Sequence, residues 1–263
     1  MNERTNSSYM EGIVINERIG EIKNNSKGTP MRIIEYRKSN DFDIEFLDEF
    51  HYVMKNQTYS NFKKGCIKNP YDKNICGVGC MGVGKYYSKN PNGTHTYEYQ
   101  NWIAMIRRCY DKVIQTTYPS YYGICIVCND WHNFQTFGKW YEENFYQVGT
   151  ERMHLDKDIL FENNREYSPD KCLIVPQRIN MLFKEKRSTS LLPTGVQSLS
   201  SGKYSATYNG KHLGTFETIE LAARAHDIEK KNAIIRVANE YKDKIPDKVY
   251  NALINWKSSY MSK

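Results

Sequence analysis

The apolar residues of this chain switch repeatedly between two-residue and helical spacing, so no single repeating architecture can accommodate it. From Met31 to Phe46 (MRIIEYRKSNDFDIEF) they alternate about a turn at Ser39, Asn40 and Asp41, the two-residue period of a half-buried β-hairpin. HYVMKNQTY continues that pattern as a further strand. From Tyr97 the period lengthens. Trp102, Met105, Ile106 and Cys109 fall at helical spacing, with Arg107 and Arg108 off the stripe. Trp131, Phe134, Phe137 and Trp140 recur at every third residue, an aromatic stripe expected to be the core side of a second helix. HLDKDILFENNREYSPDKCLIVP reads as strand, turn around Asn163 and Asn164, and strand, and PQRINMLFKEKR follows as a short helix with a basic end. After Leu192 and Pro193 come three short strands, GVQSL, KYSATY and KHLGTF. Thr218 then caps a helix carrying Ala222, Ala223, Ala225 and Ile228, and a last helical stretch runs over 232–256. The fold class expected is α+β in three modules. These are a small all-β module at 10–75 (including the apolar run at 12–15), a mixed centre at 95–187, and a sheet-plus-helix module at 192–258. Gly77, Gly79, Gly82 and Gly84 read as a flexible linker between the first two.

Composition narrows the function classes. The net charge of +7 suits a phosphate-rich partner, because each cation placed beside a phosphate releases condensed counterions. The 21 tyrosines supply flat faces with a hydroxyl, a side chain suited to wet, polar interfaces. No stretch approaches the length of a membrane span, and the polar start MNERTNSSYMEG lacks a secretory apolar run. Seven cysteines in that setting point to reduced thiols in a cytoplasm. GCMGVGK, Gly79 to Lys85, imitates a phosphate-binding loop. It lacks the Ser or Thr after the lysine and a buried strand before it, so no nucleotide is expected. Cys76 with Cys80 and Cys125 with Cys128 could pair in a zinc site, but GICIVC reads as a strand that sends its two cysteines to opposite faces. Buried apolar thiols are the simpler expectation.

The segment 121–183, YYGICIVCNDWHNFQTFGKWYEEN and then HLDKDILFENNREYSPDKCLIVPQRIN, resembles the His-Asn-His (HNH) endonucleases of phages and mobile elements. The matching pieces are the glycine-led strand ending in a Trp–Phe–Phe helix, the L-D-R/K-x-D strand, the Y-S-P-(E/D)-N-C turn and the helix ending in Asn. The resemblance implies a ββα-metal fold, two strands and a helix clamping one divalent cation against a scissile phosphate. By that resemblance Asp156 and Asn180 are the metal ligands, and oxygen donors of this kind suit magnesium or manganese. The family's general base, a histidine directly after the metal-binding residue, is replaced by Lys157, and Lys171 replaces the asparagine that braces the site. His154, two residues before Asp156 on the same strand face, is a candidate replacement base, and strand parity puts Asp158 on that face too. Lys157 could instead hold phosphate as a point charge. Arg178, Lys184, Lys186 and Arg187, on and beyond the following helix, are candidate DNA contacts.

LPTGVQSLSSGKYSATYNGKHLGTFETIELAARAHDIEKK resembles the plant ethylene-response-factor type of DNA-binding domain, which also occurs in phage homing endonucleases. The resemblance rests on the GV opening, K-Y-x-A, the LGTF turn and the T-x-x-x-A-A-x-A-x-D helix. It implies a three-stranded sheet lying in the major groove with the helix packed behind. Lys203, Tyr204, Lys211 and His212 are the expected contacts to phosphates or bases. The first module (MRIIEYRKSNDFDIEFLD, YSNFKKGCIKNPY) is similar to small β-barrel repeats appended to phage endonucleases, with Lys63, Lys64 and Lys68 available to phosphates. Together these imply a homing-type HNH endonuclease that hydrolyses double-stranded DNA with magnesium or manganese in a host cytoplasm. The alternative is a non-cleaving DNA-binding or regulatory protein of the same fold, one that also engages a host protein.

Overall fold

The computed structural model describes residues 17–114, 116–117, 122–184, 191–258 and 260–261. The apolar run at 12–15, Lys186 and Arg187 lie outside the described residues. The chain is mixed α and β and divides into two compact units, Met1–Tyr86 with His132–Gln135, and Tyr87–Trp131 with Thr136–Lys263. Among the described residues no helix is long and apolar enough to cross a membrane.

The first unit is an antiparallel meander of β1 (Ile22–Asn24), β2 (Pro30–Lys38), β3 (Asp41–Phe46) and β4 (Val53–Gln57), in that spatial order. The hairpin turns at Ser39 and Asn40 as its sequence requires, with Lys38 opposite Asp41. Met31 and Ile33 alternate into the core, and an irregularity between Ile33 and Glu35 shifts the phase so that Tyr36 is the next buried residue. Phe42, Ile44 and Phe46 of β3 complete the core with Phe62 of the short helix α1 (Tyr59–Lys63). Among the described residues the expected barrel is not formed: β1 and β4 are edges that pair only inward, and the sheet is open. Three-residue β1 is too short to return along β4 and close a cylinder.

The glycine segment also differs from expectation. It is not a free linker but a strap held by residues of a distant stretch. Cys80 donates its N–H to His132 O and its carbonyl accepts from Phe134 N. The Gln135 amide donates to Met81 O and Tyr86 O and accepts from Tyr86 N. A Cβ on Gly82 would lie 2.3 Å from Asn133 Oδ1, and one on Gly84 2.4 Å from Gln135 Oε1. Gly82 and Gly84 are there for close approach rather than for flexibility.

In the second unit, α2 (Tyr97–Tyr110) buries Trp102, Met105, Ile106 and Cys109, the stripe its spacing predicts. A 3₁₀ turn carries Trp131 ahead of α3 (Phe134–Asn144), and all four aromatics of the second stripe are buried. Of GICIVC only β5 (Ile126–Val127) is strand, paired in parallel with β7 (Glu166–Tyr167). β6 (Met153–Asp156) and β8 (Leu173–Pro176) form an antiparallel pair that runs straight into α4 (Gln177–Phe183). β9 (Val196–Ser198), β10 (Tyr204–Tyr208) and β11 (Lys211–Phe216) form an antiparallel sheet with β10 central.

Thr218 caps α5 (Ile219–Tyr241), its hydroxyl accepting from Leu221 N at 3.2 Å. That helix runs on through the expected start of the last helical stretch, and the break comes only before Pro246, where α6 (Asp247–Asn255) begins. One end of α5 packs Ala222 and Ala223 against Val196 and Ala206 of the sheet. The other end sets Ile234, Val237, Ala238 and Tyr241 in a core with Leu173, Val175, Ile179 and Phe183. The central and C-terminal segments, read separately in sequence, therefore share one core.

Candidate functional site: a ββα centre and an open β-sheet face

The β6–β8 register sets His154 opposite Val175 and Asp156 opposite Leu173. Directly paired residues of an antiparallel ladder share a face, so these four side chains do so. Leu173 and Val175 enter the same core as Ile179 and Phe183 of α4, and α4 lies against both strands. Two strands and a helix thus cover the face that carries His154 and Asp156.

Asp156 is buried. Its Oδ1 accepts from Asp158 N at 2.8 Å and Ile159 N at 2.9 Å, capping the bend that ends β6. Burial, and then the nearby Asp158 charge, push its carboxyl up to about 6 against the pull of those two amides and of Lys157. Asp158 does not continue the strand as parity suggested: β6 stops at Asp156, and Asp158 instead accepts from Lys157 Nζ at 2.6 Å.

Lys157 is 6% exposed, its ammonium held between Asp158 and Asn164 O at 2.6 Å, with the Tyr167 ring 5.9 Å away. Asn164, which sequence reasoning passed over as a turn residue, braces this loop. Its amide donates to Lys157 O (2.7 Å) and Glu166 O (2.8 Å), and its oxygen accepts from Glu166 N (3.0 Å). Lys171, at the position where the resembled family carries the bracing asparagine, pairs with Glu166. Burial pushes His154 below the ordinary histidine value, opposed by its hydrogen bond with Gln177 and reinforced by the charges of Arg152 and Arg108. Its Nε2 is enclosed without a hydrogen-bond partner.

Asn180 is half-buried on α4. Arg178, on the same helix, pairs with Glu240 and stacks on Tyr241, so α5 engages it; Lys184 is exposed. Asp156, Asp158 and Asn180 are hard oxygen donors, and a buried carboxylate destabilised by a neighbouring acid is a group a divalent cation would relieve. In kind, the residues fit magnesium or manganese. Among the described residues no cluster of three or more His, Cys, Asp and Glu is arranged for a metal. An aspartate with an amide is not a set of that type. No disulfide joins the seven cysteines.

The C-terminal sheet has two unlike faces. Val196, Tyr204, Ala206, Leu213 and Phe216 pack on the α5 side, and Tyr208 meets His226 of α5 edge to face. Gln197, Ser205 and Thr215 form a cross-strand row on the opposite face. A bulge at Leu213 keeps His212 opposite Thr207 on that open face, where Ser205 Oγ lies 3.2 Å from His212 Nδ1. Gly195, just ahead of β9, has φ +77°, and a Cβ there would lie 2.4 Å from Thr207 O and 2.3 Å from the His226 ring. Of the four expected contacts, His212 lies on the open face and Lys203 at its rim, paired with Glu217. Tyr204 turns toward α5, and Lys211 reaches Glu229 of that helix at 3.4 Å. Gln197, Ser205 (itself buried), Thr207 and Thr215 share this face by regular strand pairing, and the bulge, invisible in sequence, decides that His212 of β11 joins them. Lys63, Lys64 and Lys68 of the first unit are exposed.

No family model, curated protein or solved structure matches this chain.

Proposed function

We propose that this protein is a DNA-binding endonuclease of the HNH type, hydrolysing phosphodiesters with a divalent cation, with the open face of β9–β11 as its duplex-reading surface. The observation that carries the reading is the shared face of His154 and Asp156 beneath α4, which agrees with the ββα arrangement the resemblance implies. Asp156 and Asn180 would hold magnesium or manganese, which when bound supplies charge stabilisation on the phosphate and leaving oxygen. Burial pushes His154 toward its neutral form, and in the tautomer that leaves Nε2 unprotonated this nitrogen would take a proton from water once solvent reaches it. Lys157 fixes the loop beside Asp156 and is not free to contact phosphate as a mobile point charge.

That lock on Lys157 favours a second reading, a DNA-binding or regulatory protein of the same fold that does not cleave. The test is a plasmid assay with wild type, Asp156→Ala and His154→Ala in magnesium or manganese, on DNA that includes the gene's own genomic neighbourhood. Nicking or linearisation that disappears in Asp156→Ala and with EDTA is expected. Metal-independent retardation without cleavage would establish the binding reading in its place.

A further inference from the structure

Two tyrosines stand apart from the rest. Tyr87 is 68% and Tyr97 72% exposed, whereas every other tyrosine among the described residues is buried or half-buried. A hydrophobic ring left in water on a folded surface costs solvation that a partner can recover. The two are also held together. Residues 87–97 fold into a small hairpin in which Lys89 bridges His95 in antiparallel fashion. Thr96 N donates to Ser88 O at 3.2 Å, and Thr96 Oγ1 to Tyr87 O at 2.9 Å. Tyr87 leads into the hairpin and Tyr97 leaves it as the first residue of α2, and the Thr96–Tyr87 hydrogen bond brings the two positions near each other.

The tip is just as constrained. Asn90 N donates to Thr94 O, Gly93 N to Asn90 O, and Thr94 N to Asn92 Oδ1. At the base, the Thr96 hydroxyl caps α2 by accepting from Tyr99 N, and the His95 ring stacks on Tyr99 with centroids 5.0 Å apart. The rings are therefore presented by a hydrogen-bonded scaffold, with little ordering left to lose on binding. Residues 87–97 carry Lys89 and His95 and no carboxylate. The acid next in sequence, Glu98, is half-buried in the first turn of α2.

We infer that this hairpin is a stacking platform for unpaired bases of a nucleic-acid strand, Tyr87 and Tyr97 supplying the faces and Lys89 the phosphate contact. Paired aromatic faces beside cations, without acids, are the arrangement that captures single strands, because every base has a π-face while the backbone is anionic. The inference rests on the nucleic-acid reading but not on duplex recognition by the sheet. It gives a protein that acts on DNA a place to hold a strand once it is unpaired.

The test is fluorescence anisotropy with two labelled probes, an oligothymidine single strand and a blunt duplex. They are titrated with wild type, Tyr87→Ala, Tyr97→Ala, the two Tyr→Phe variants and His212→Ala. Each alanine is expected to weaken single-strand binding by about 5- to 100-fold, with phenylalanine retaining it and duplex affinity unchanged. His212→Ala should weaken the duplex alone. Wild type that ignores the single strand, alanine variants that bind it as wild type does, or phenylalanine losing as much as alanine would each overturn the inference. Single-strand binding without duplex binding would leave the inference standing and sink the sheet as a duplex reader.

Discussion

Asp156 is a carboxylate whose burial works against the fold. Its proton is held more tightly in the folded chain, with the carboxyl up at about 6, than at the ordinary value of 3.8 in the unfolded one. Between roughly pH 4 and 6 the folded state therefore binds more protons, and stability falls as pH rises through that window. A shift of this size corresponds to about 3 kcal/mol at most. In metal-free buffer, Asp156→Asn keeps an oxygen to accept from Asp158 and Ile159 while removing the charge. Thermal melts should show the variant more stable by several degrees at pH 8 and indistinguishable from wild type at pH 4. Equal melting temperatures at pH 8 would show that the buried charge is already compensated. At this scale the sequence was informative about identity and poor about engagement. The family resemblance singled out Asp156 and Lys157, and strand parity added His154. That Lys157 is locked by Asp158 and a carbonyl seven residues on, with Asn164 as the brace, depends on a loop path that spacing does not encode.

Among the elements, α5 decides most. Its Lys231 reaches across to the end of α6, where the ammonium donates to the carbonyls of Leu253, Ile254 and Trp256, the last at 2.6 Å. Helix C-terminal carbonyls lack partners of their own, and a cation satisfies them both by charge and by donors. Lys231→Met keeps most of the apolar stem and removes the donors, so it should cost about 1.5–3 kcal/mol, read from the denaturant midpoint. A midpoint unchanged from wild type would show that water replaces the lysine at no cost. The C-terminal sheet makes a complementary prediction from its bulge. Lys203→Ala and His212→Ala should weaken duplex binding about tenfold each without moving the melting temperature, on the scale of a single base or phosphate contact. Tyr204→Ala should lower the melting temperature instead, because its ring packs on the α5 side. The strands, the Thr218 cap and the alanine face of this module were all legible in sequence. The facing of Lys211 and His212 was not, since one extra residue in β11 resets side-chain parity there.

For the whole molecule, the consequence lies in the core shared by the ββα centre and the C-terminal helices. Trp256 is buried there with Leu253 and Phe183, its ring edge to face with Phe183 at 5.9 Å. Trp256→Ala should destabilise the second unit by about 3–5 kcal/mol, and a chain ending before α5 should expose Leu173, Val175 and Ile179 to proteolysis. Limited proteolysis followed by mass spectrometry reads both. A truncated centre as resistant as the full chain would show that it folds independently of α5 and α6. The sequence by itself determined most of the strands and helices, though not β1, α1 or the unbroken run of α5, because hydrophobic period, caps and turn residues are local properties of the chain. It could not determine that the first sheet stays open, that the glycine segment is clasped by Asn133 and Gln135, or that two separately read modules join one core. Those outcomes are decided by which apolar faces meet and which backbones approach closely, and both depend on residues far apart in the chain.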